Sequence, residues 1–304
     1  MSVAELPALL RRAVPALAVA LACAGAAAPS ATAEPGPACA SATSATALPA
    51  AVPVLDWSEN LGYDGQGNLW VSRLYRNEVQ RYDDAGRLTA TVPVEFPGAV
   101  RLGPDGLMYV VYGDAPTSVV RPGGVVRFDP AADAPRPEIF ASGFTMPNGA
   151  AFDADGTLYV ASATGVIRIG RDGVVDTGWS ERARLNANGI AVHDGTVYLT
   201  SNGGPLGRVL RFPVTEPDRR TVLTDLTSAL PGVPDFADDL LVDDAGTVYV
   251  TALSGQLVRI DPNGQSCRIL SAEPMTSLVA LPGRPGELLA GTERGAVLRI
   301  QLAP

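Results

Sequence analysis

A short strand pattern recurs six times along the chain. In each copy an apolar or aromatic pair is followed by an aliphatic residue and, in most copies, a small residue, as in Leu69-Trp70-Val71-Ser72. The other copies begin at Met108, Leu158, Val197, Val248 and Leu288. A turn glycine precedes each copy, and a second strand with an arginine among β-branched and aromatic residues follows it. The turn glycines are Gly67, Gly106, Gly156, Gly195, Gly246 and Gly286.

This repeat predicts an all-β fold, a six-bladed β-propeller. A period of roughly 40 to 50 residues, filled with short strands and Gly/Asp turns and without helical periodicity, is typical of propeller blades. In each blade we expect an innermost strand A, a strand B with the aromatic motif, a strand C with the arginine and an outer strand D. The candidate D strands are residues 88–94, 137–141, 174–179, 221–226 and 266–271.

The sixth blade lacks a D strand of its own, because only three residues follow its arginine strand. We expect the N-terminal segment 51–55 to supply it and to close the ring, since closure removes exposed sheet edges. Cys39 would then lie just upstream of the closing strand, and Cys267 in the outer strand of the neighbouring blade. This placement favours a Cys39–Cys267 disulfide over two inert cysteines.

The N-terminus reads as an export signal. Arg11 and Arg12 precede an apolar run, and Ala31-Thr32-Ala33 fits a cleavage site. A transmembrane anchor is the alternative, but the run is rich in alanine and interrupted by Pro15. We therefore expect residues 1–33 to be a secretory signal peptide, residues 34–50 a linker and residues 51–304 the propeller of a secreted, extracellular protein.

Net charge narrows the choice of partners. The chain carries a formal charge of −9 at pH 7. No basic stripe is available to neutralise phosphates, which argues against nucleic acid or an anionic membrane surface as a partner. We expect a monomer, free of the membrane after cleavage, that binds a small molecule or a cation.

Four oxygen-bearing residues share one register near the start of strand A, where the chain lies nearest the axis. Aligned on the turn glycine, these are Glu59, Asn148, Asn188 and Asp238, whereas the second and sixth blades have Gly98 and Leu278. Carboxylates that converge in a channel repel each other unless a cation satisfies them. An all-oxygen set favours Ca²⁺, although another divalent cation stays open. The alternative is that these side chains only hydrogen-bond to neighbouring blades.

With this register the chain resembles the regucalcin/gluconolactonase group, also called senescence-marker-protein-like, of calcium-dependent six-bladed propellers. That group is related to diisopropylfluorophosphatases and paraoxonases. The resemblance covers the mature region and follows the order Glu59, no ligand, Asn148, Asn188, Asp238. It implies hydrolysis of a lactone or related ester, in which the metal polarises the carbonyl and a ligand carboxylate acts as base or nucleophile. We assign that role to Asp238, with Glu59 second and Asp239 as a further ligand or a residue facing away.

Two departures from the family pattern bear on the substrate. Where gluconolactonases carry an arginine before the third-blade Asn, this chain has Met146, flanked by Phe144. With Tyr75 from a strand B to C loop, these residues predict a more apolar substrate-binding mouth. The one histidine, His193, falls in a strand A to B turn about 16 Å from the ligand ring, at roughly 3.3 Å per strand residue, and is predicted to be a surface residue.

Two functions remain open at this stage. The first is a calcium-dependent lactonase or esterase, and the second is a non-catalytic binding or sensor propeller with a structural calcium. A strictosidine-synthase-like enzyme is disfavoured by Glu59 and Asp238. A streptogramin-lyase type would need a seventh blade and a catalytic histidine.

Overall fold

The computed structural model describes residues 39–203, 207–226 and 235–303. The predicted signal peptide and the start of the predicted linker lie outside the described residues. Six small antiparallel sheets follow one another along the chain, five with four strands and one with three. The prediction of a six-bladed β-propeller is confirmed. Within the described ranges no helix is long and apolar enough to cross a membrane.

The strands of each blade run outward from the channel in chain order. Before the first blade lies β1 (Thr43–Leu48). Blade 1 holds β2 (Ser58–Tyr63), β3 (Leu69–Arg73), β4 (Glu78–Tyr82) and β5 (Leu88–Pro93), and blade 2 holds β6 (Val100–Leu102), β7 (Met108–Tyr112), β8 (Gly123–Phe128) and β9 (Glu138–Phe144). Blade 3 holds β10 (Pro147–Phe152), β11 (Leu158–Ser162), β12 (Gly165–Ile169) and the helix α1 (Thr177–Arg182). Blade 4 holds β13 (Ile190–His193), β14 (Thr196–Ser201), β15 (Arg208–Pro213) and β16 (Thr221–Asp225). Blade 5 holds β17 (Ala237–Val242), β18 (Val248–Ala252), β19 (Gln256–Ile260) and β20 (Ser266–Ser271), and blade 6 holds β21 (Met275–Ala280), β22 (Glu287–Thr292) and β23 (Val297–Gln301).

The aromatic motif of strand B forms the core between blades. Trp70 is fully buried, and its ring lies 5.1 Å from the ring of Phe128 in the next blade. Tyr159 is also fully buried and packs edge-on against Trp179 of its own blade at 5.3 Å, and Trp179 lies 6.2 Å from the ring of Phe212 in blade 4. Because burying an aromatic side chain contributes about 1.5 to 3 kcal/mol, these contacts hold adjacent blades at a fixed angle.

The ring is closed by an N-terminal strand, but by a different segment from the predicted one. Strand β1 pairs antiparallel with β23, with Thr43 opposite Gln301, whereas residues 51–55 lie in turns. The prediction of 51–55 as the closing strand was therefore wrong, and the closing strand lies within the predicted linker 34–50. A strand ending at Leu55 would leave two residues before Ser58, so its end could lie at most about 11 Å from strand A of blade 1. Crossing a blade takes three strand spacings, about 14 Å.

The Cys39–Cys267 disulfide is present, with the two Cα atoms 6.1 Å apart. Cys267 lies in β20, the outer strand of blade 5, and Ala42 donates its backbone N–H to Ile269 of the same strand. The bridge therefore fastens the chain just before β1 to the neighbouring blade, as the sequence predicts.

Blade 3 departs from the repeat. The predicted D strand 174–179 is wrong, since only a single bridge joins Val175 to Ile169 and α1 follows. Asp176 caps this helix by accepting a hydrogen bond from the backbone N–H of Trp179 at 3.0 Å. Trp179 thereby turns into the core and donates its indole N–H to the carbonyl of Val214 at 2.6 Å.

Candidate metal centre

The predicted ligands sit where strand A bulges. The ladder between β2 and β3 shifts register between Ser58 and Asn60, around Glu59. The equivalent shift lies between Pro147 and Ala150 in blade 3, and between Ala237 and Leu240 in blade 5. Bulges leave residues unpaired and re-aim their side chains. They therefore free Glu59, Asn148 and Asp238 from the ladder at the channel.

A chain of backbone hydrogen bonds sets these residues at one level. Gly149 donates its N–H to the carbonyl of Asn188, and Gly189 donates to that of Asp238, both at 3.0 Å. A Cβ atom at Gly149 or Gly189 would lie 2.6 Å from the carbonyl oxygen of the same partner. The Asn-Gly pairs in the sequence are thus required by close packing between blades, and this packing places Asn148, Asn188 and Asp238 in equivalent positions.

Glu59 is held by two donors. Its Oε2 accepts the indole N–H of Trp57 at 2.5 Å, and its Oε1 accepts the Nδ2 of Asn148 at 2.9 Å. Trp57 is in turn packed edge-on against Tyr75, with the ring centroids 5.5 Å apart. The structure thus brings Glu59 and Asn148 into direct contact, and Trp57 fixes the rotamer of the carboxylate.

Asp114 joins this group from blade 2. Its Oδ2 accepts a second hydrogen bond from the Nδ2 of Asn148, at 2.8 Å. It also lies against Glu59, and burial and the Glu59 charge raise the pKa of Asp114 well above its ordinary value. Asp114 is predicted from the sequence only as one of several loop residues around the pocket, because loops between strands B and C have no repeat to align and no role at the metal could be assigned. The sequence also did not single out Trp57.

In the described part of the chain, three of the four predicted ligands have side-chain oxygens to which no hydrogen-bond donor is found. Within the described ranges, the buried Oδ1 of Asn188 has no hydrogen-bond partner. In the same part of the chain, both hydrogen bonds of the Asn148 carboxamide are made by its nitrogen, which leaves its oxygen free. Asp238 is 5% exposed, and no donor to its carboxylate is found within the same ranges. Buried acceptors without a donor are costly, so this set fits a cation.

The pKa shifts of the carboxylates in this centre also favour a bound cation. Burial, followed by the charges of Glu59 and Asp239, raises the pKa of Asp238 well above its ordinary value. Burial also raises the pKa of Glu59, although the hydrogen bonds from Trp57 and Asn148 oppose it. The charges that raise the pKa of Asp238 all belong to other carboxylates, and one of these is Glu293 in the loop between β22 and β23 of blade 6. A divalent cation would offset this repulsion.

No group of three or more His, Cys, Asp and Glu side chains is arranged to hold a metal in the described residues. The predicted set has two carboxylates, and its other two ligands are carboxamides. Oxygen ligands of both kinds suit Ca²⁺, which accepts six to eight of them in flexible geometry. The residues present therefore fit calcium, and they do not fit zinc, which prefers His and Cys.

Asp239 forms the floor of the channel through one carboxylate oxygen, whereas its buried Oδ1 has no hydrogen-bond partner among the described residues. Its Oδ2 accepts hydrogen bonds from Asn60 at 3.4 Å and from the backbone N–H of Leu278 at 3.3 Å. Arg101 lies 3.6 Å away and also donates to Asn60. Beyond Arg101 the channel opens into an apolar cavity of 420 Å³, lined by strand A residues of all six blades. Arg101 thus separates the centre from the far end of the channel.

The predicted substrate contacts fall in different surroundings. Tyr75 is 46% exposed beside Trp57, and Met146 is partly exposed next to the strand that bears Asn148. Phe144 is 5% exposed and packs in the core cluster of blades 2 and 3. His193 ends β13 at the A to B turn, where its Nε2 lies 3.4 Å from Asp194.

Known proteins resemble this chain in fold, but at low sequence identity. No protein-family model matches the sequence, and no curated protein matches it. Among solved structures, a gluconolactonase from Xanthomonas campestris superposes with a TM-score of 0.65 at 16% identity, over 86% of this chain and 90% of that one. The chain shares the fold of that protein.

Two further neighbours show how widely the fold is used. A calcium-binding regucalcin from Agrobacterium tumefaciens has a TM-score of 0.63 at 15% identity, over 85% of this chain and 95% of that one. A PQQ-bound aldose sugar dehydrogenase from Streptomyces coelicolor has a TM-score of 0.65 at 15% identity, over 86% of this chain and 98% of that one. Gluconolactonases and regucalcin, the group that the sequence resembles, are thus among the structural neighbours. Because one fold hosts several chemistries, function has to be argued from the site.

Proposed function

We propose that the protein is a secreted, calcium-dependent hydrolase of a lactone or a related ester. The observation that carries this proposal is the set of unsatisfied oxygens on Asn148, Asn188 and Asp238 beside the Glu59 carboxylate. The gluconolactonase and regucalcin neighbours support it, because one is a lactonase and the other is a calcium-binding protein. The cation is proposed to be held by Glu59, Asn148, Asn188 and Asp238.

The residues of the centre have different roles in the proposed hydrolysis. Calcium, when bound, would polarise the carbonyl and stabilise negative charge that develops on its oxygen. Asp238 is the better candidate for base or nucleophile, because its carboxylate is buried and accepts no hydrogen bond from the described residues. Glu59 is less free, since both of its oxygens already accept hydrogen bonds. Trp57 and Tyr75 supply an apolar wall beside the centre for the substrate body.

Export is part of the proposal. The apolar leader with its Ala31-Thr32-Ala33 site supports it, and so does the Cys39–Cys267 disulfide, since such bonds persist in oxidising compartments. Expression with the native leader and N-terminal sequencing of the protein from the medium tests it. A chain starting near Glu34 is expected, and an intact leader retained with the cells would contradict it.

The activity is tested with metal-stripped protein on a panel of lactones and aryl esters, with and without added calcium. Asp238→Asn is compared with Asp244→Asn, a matched change at an exposed turn of the same blade. We expect calcium-dependent turnover by the wild type and by Asp244→Asn, and loss of at least 100-fold in Asp238→Asn. Turnover that survives both chelation and Asp238→Asn would contradict the mechanism. Calcium binding without turnover on any substrate would favour the sensor function.

A further inference from the structure

In blade 2 the position equivalent to the predicted ligands is Gly98, which has no side chain to offer. The loop between β7 and β8 of this blade instead reaches the metal centre through Asp114. Gly113 has φ of +81°, a left-handed conformation that favours glycine. A Cβ atom there would lie 2.6 Å from the Cα of Gly123. Asp114 follows directly and donates its backbone N–H to the carbonyl of Phe96 at 3.0 Å. The backbone thus sets the direction of the Asp114 side chain.

The far end of this loop is tied to blade 3. Ser118 is 1% exposed, donates its hydroxyl to the carbonyl of Ala115 at 2.7 Å and accepts the backbone N–H of Met146 at 2.7 Å. Met146 lies two residues before Asn148. The loop that carries Asp114 and the strand that carries Asn148 are therefore held in register with each other by a buried hydroxyl.

Asn148 has a donor end and an acceptor end, and only the donor end is occupied. Its Nδ2 donates to Asp114 Oδ2 at 2.8 Å and to Glu59 Oε1 at 2.9 Å. The two N–H bonds of a carboxamide are then both used, and the oxygen remains for another partner. We infer that Asp114 is a positioning residue of the metal centre, which holds Asn148 by its nitrogen so that its oxygen is offered to the cation.

This inference rests on the proposed function, because it concerns the same centre. Its physical basis is the near symmetry of the carboxamide, whose oxygen and nitrogen ends have almost the same shape. A flipped Asn148 would present N–H groups to a cation and place its oxygen against the Asp114 and Glu59 carboxylates. Asp114 excludes that state by repulsion as well as by the hydrogen bond. Partners that orient metal ligands in this way are typically worth 10 to 100-fold in affinity.

Calorimetric titration of the metal-stripped protein with CaCl₂ tests the role of Asp114. Asp114→Ala removes the acceptor and is expected to weaken calcium binding by at least tenfold. Asp114→Asn keeps an acceptor oxygen and is expected to stay within threefold of the wild type. Asp133→Ala, at an exposed position of the same blade, is the matched control and is expected to bind like the wild type. Equal losses in Asp114→Ala and Asp114→Asn, or no loss in either, would overturn the inference.

A double-mutant cycle with Asn148→Ala separates positioning from a general effect on the fold. If Asp114 acts through Asn148, Asp114→Ala changes the calcium dissociation constant by less than twofold in the Asn148→Ala background. Additive losses would overturn the inference. Loss of binding in Asp238→Asn with normal binding in Asp114→Ala would overturn it while leaving the proposed function intact. Absence of calcium binding by the wild type would instead overturn the proposed function itself.

Discussion

Arg101 of blade 2 lies 3.6 Å from the Asp239 carboxylate of blade 5, the residue that follows the proposed metal ligand Asp238. The Asp239 side chain is 3% exposed, and the Arg101 side chain is 22% exposed. Burial raises the pKa of Asp239, and the Arg101 charge opposes that shift. The guanidinium also donates to the backbone carbonyls of Leu61 and Val100 at 3.0 Å. One cation therefore joins three blades at the floor of the channel.

Replacing Arg101 with Met is expected to lower the free energy of unfolding by about 3 kcal/mol, because removal of one partner leaves a buried charge uncompensated. Chemical denaturation followed by circular dichroism measures it. The double variant Arg101→Met with Asp239→Leu removes both charges and is expected to recover part of this loss. A double variant less stable than Arg101→Met would contradict the ion-pair explanation.

Trp57→Phe is expected to weaken calcium binding about tenfold, since the indole N–H that orients Glu59 is lost while a ring remains to pack on Tyr75. Titration with CaCl₂ measures the change. An unchanged dissociation constant would mean that packing alone, without the hydrogen bond to Glu59, fixes the carboxylate.

Loss of the Cys39–Cys267 bridge is expected to lower the free energy of unfolding by about 2 to 5 kcal/mol, because the bridge closes a loop across almost the whole ring. Thermal unfolding of the Cys39→Ser, Cys267→Ser double variant tests this against the wild type. Reductant should lower the melting temperature of the wild type alone. A reductant effect of equal size in the double variant would show that the bridge is not the cause.

Asp56 is expected to make the free energy of unfolding depend on pH in the acid range. Burial opposes its ionisation, but the backbone N–H of Val52, at 2.7 Å, and the contact with Arg76 outweigh it, so the pKa of Asp56 falls below its ordinary value of 3.8. A lowered pKa contributes stability above the unfolded-state value and loses it as the pH falls through the folded-state value. The stability difference between wild type and Asp56→Asn is thus expected to be constant from pH 5 to 7 and to shrink below about pH 4. A difference that grows on acidification would contradict this assignment.

The parts of the structure that repeat were predictable, and the parts that occur once were not. The Asn-Gly pairs at Asn148 and Asn188 mark strand A in the sequence, because any residue with a Cβ atom in place of the glycine would clash with a carbonyl of the next blade. That requirement recurs, so an alignment of the copies finds it. Asp114 and Arg101 occupy positions whose contacts do not recur from blade to blade, so an alignment of the copies does not find them. Each depends on one loop or one channel contact.

The two errors have a related cause. Segment 174–179 has β-forming residues, but Asp176 caps a helix there and Trp179 gains more by entering the core than by lying on an edge strand. The closing strand was misplaced because 51–55 is more apolar than Thr43–Leu48, whose side chains are mostly exposed. The hydrophobic pattern favours the apolar segment 51–55. The few residues between it and β2 are, however, too short to cross from the outer strand of a blade to the channel.

Pairing of β1 with β23 has a consequence for biosynthesis. Thr43 is among the first described residues to be translated, and its partner Gln301 is among the last. The nascent chain thus carries an unpaired β-strand edge through almost all of its synthesis, and contacts of such long sequence separation form slowly. A premature stop that removes only the final strand would therefore leave the N-terminal strand without a partner as well.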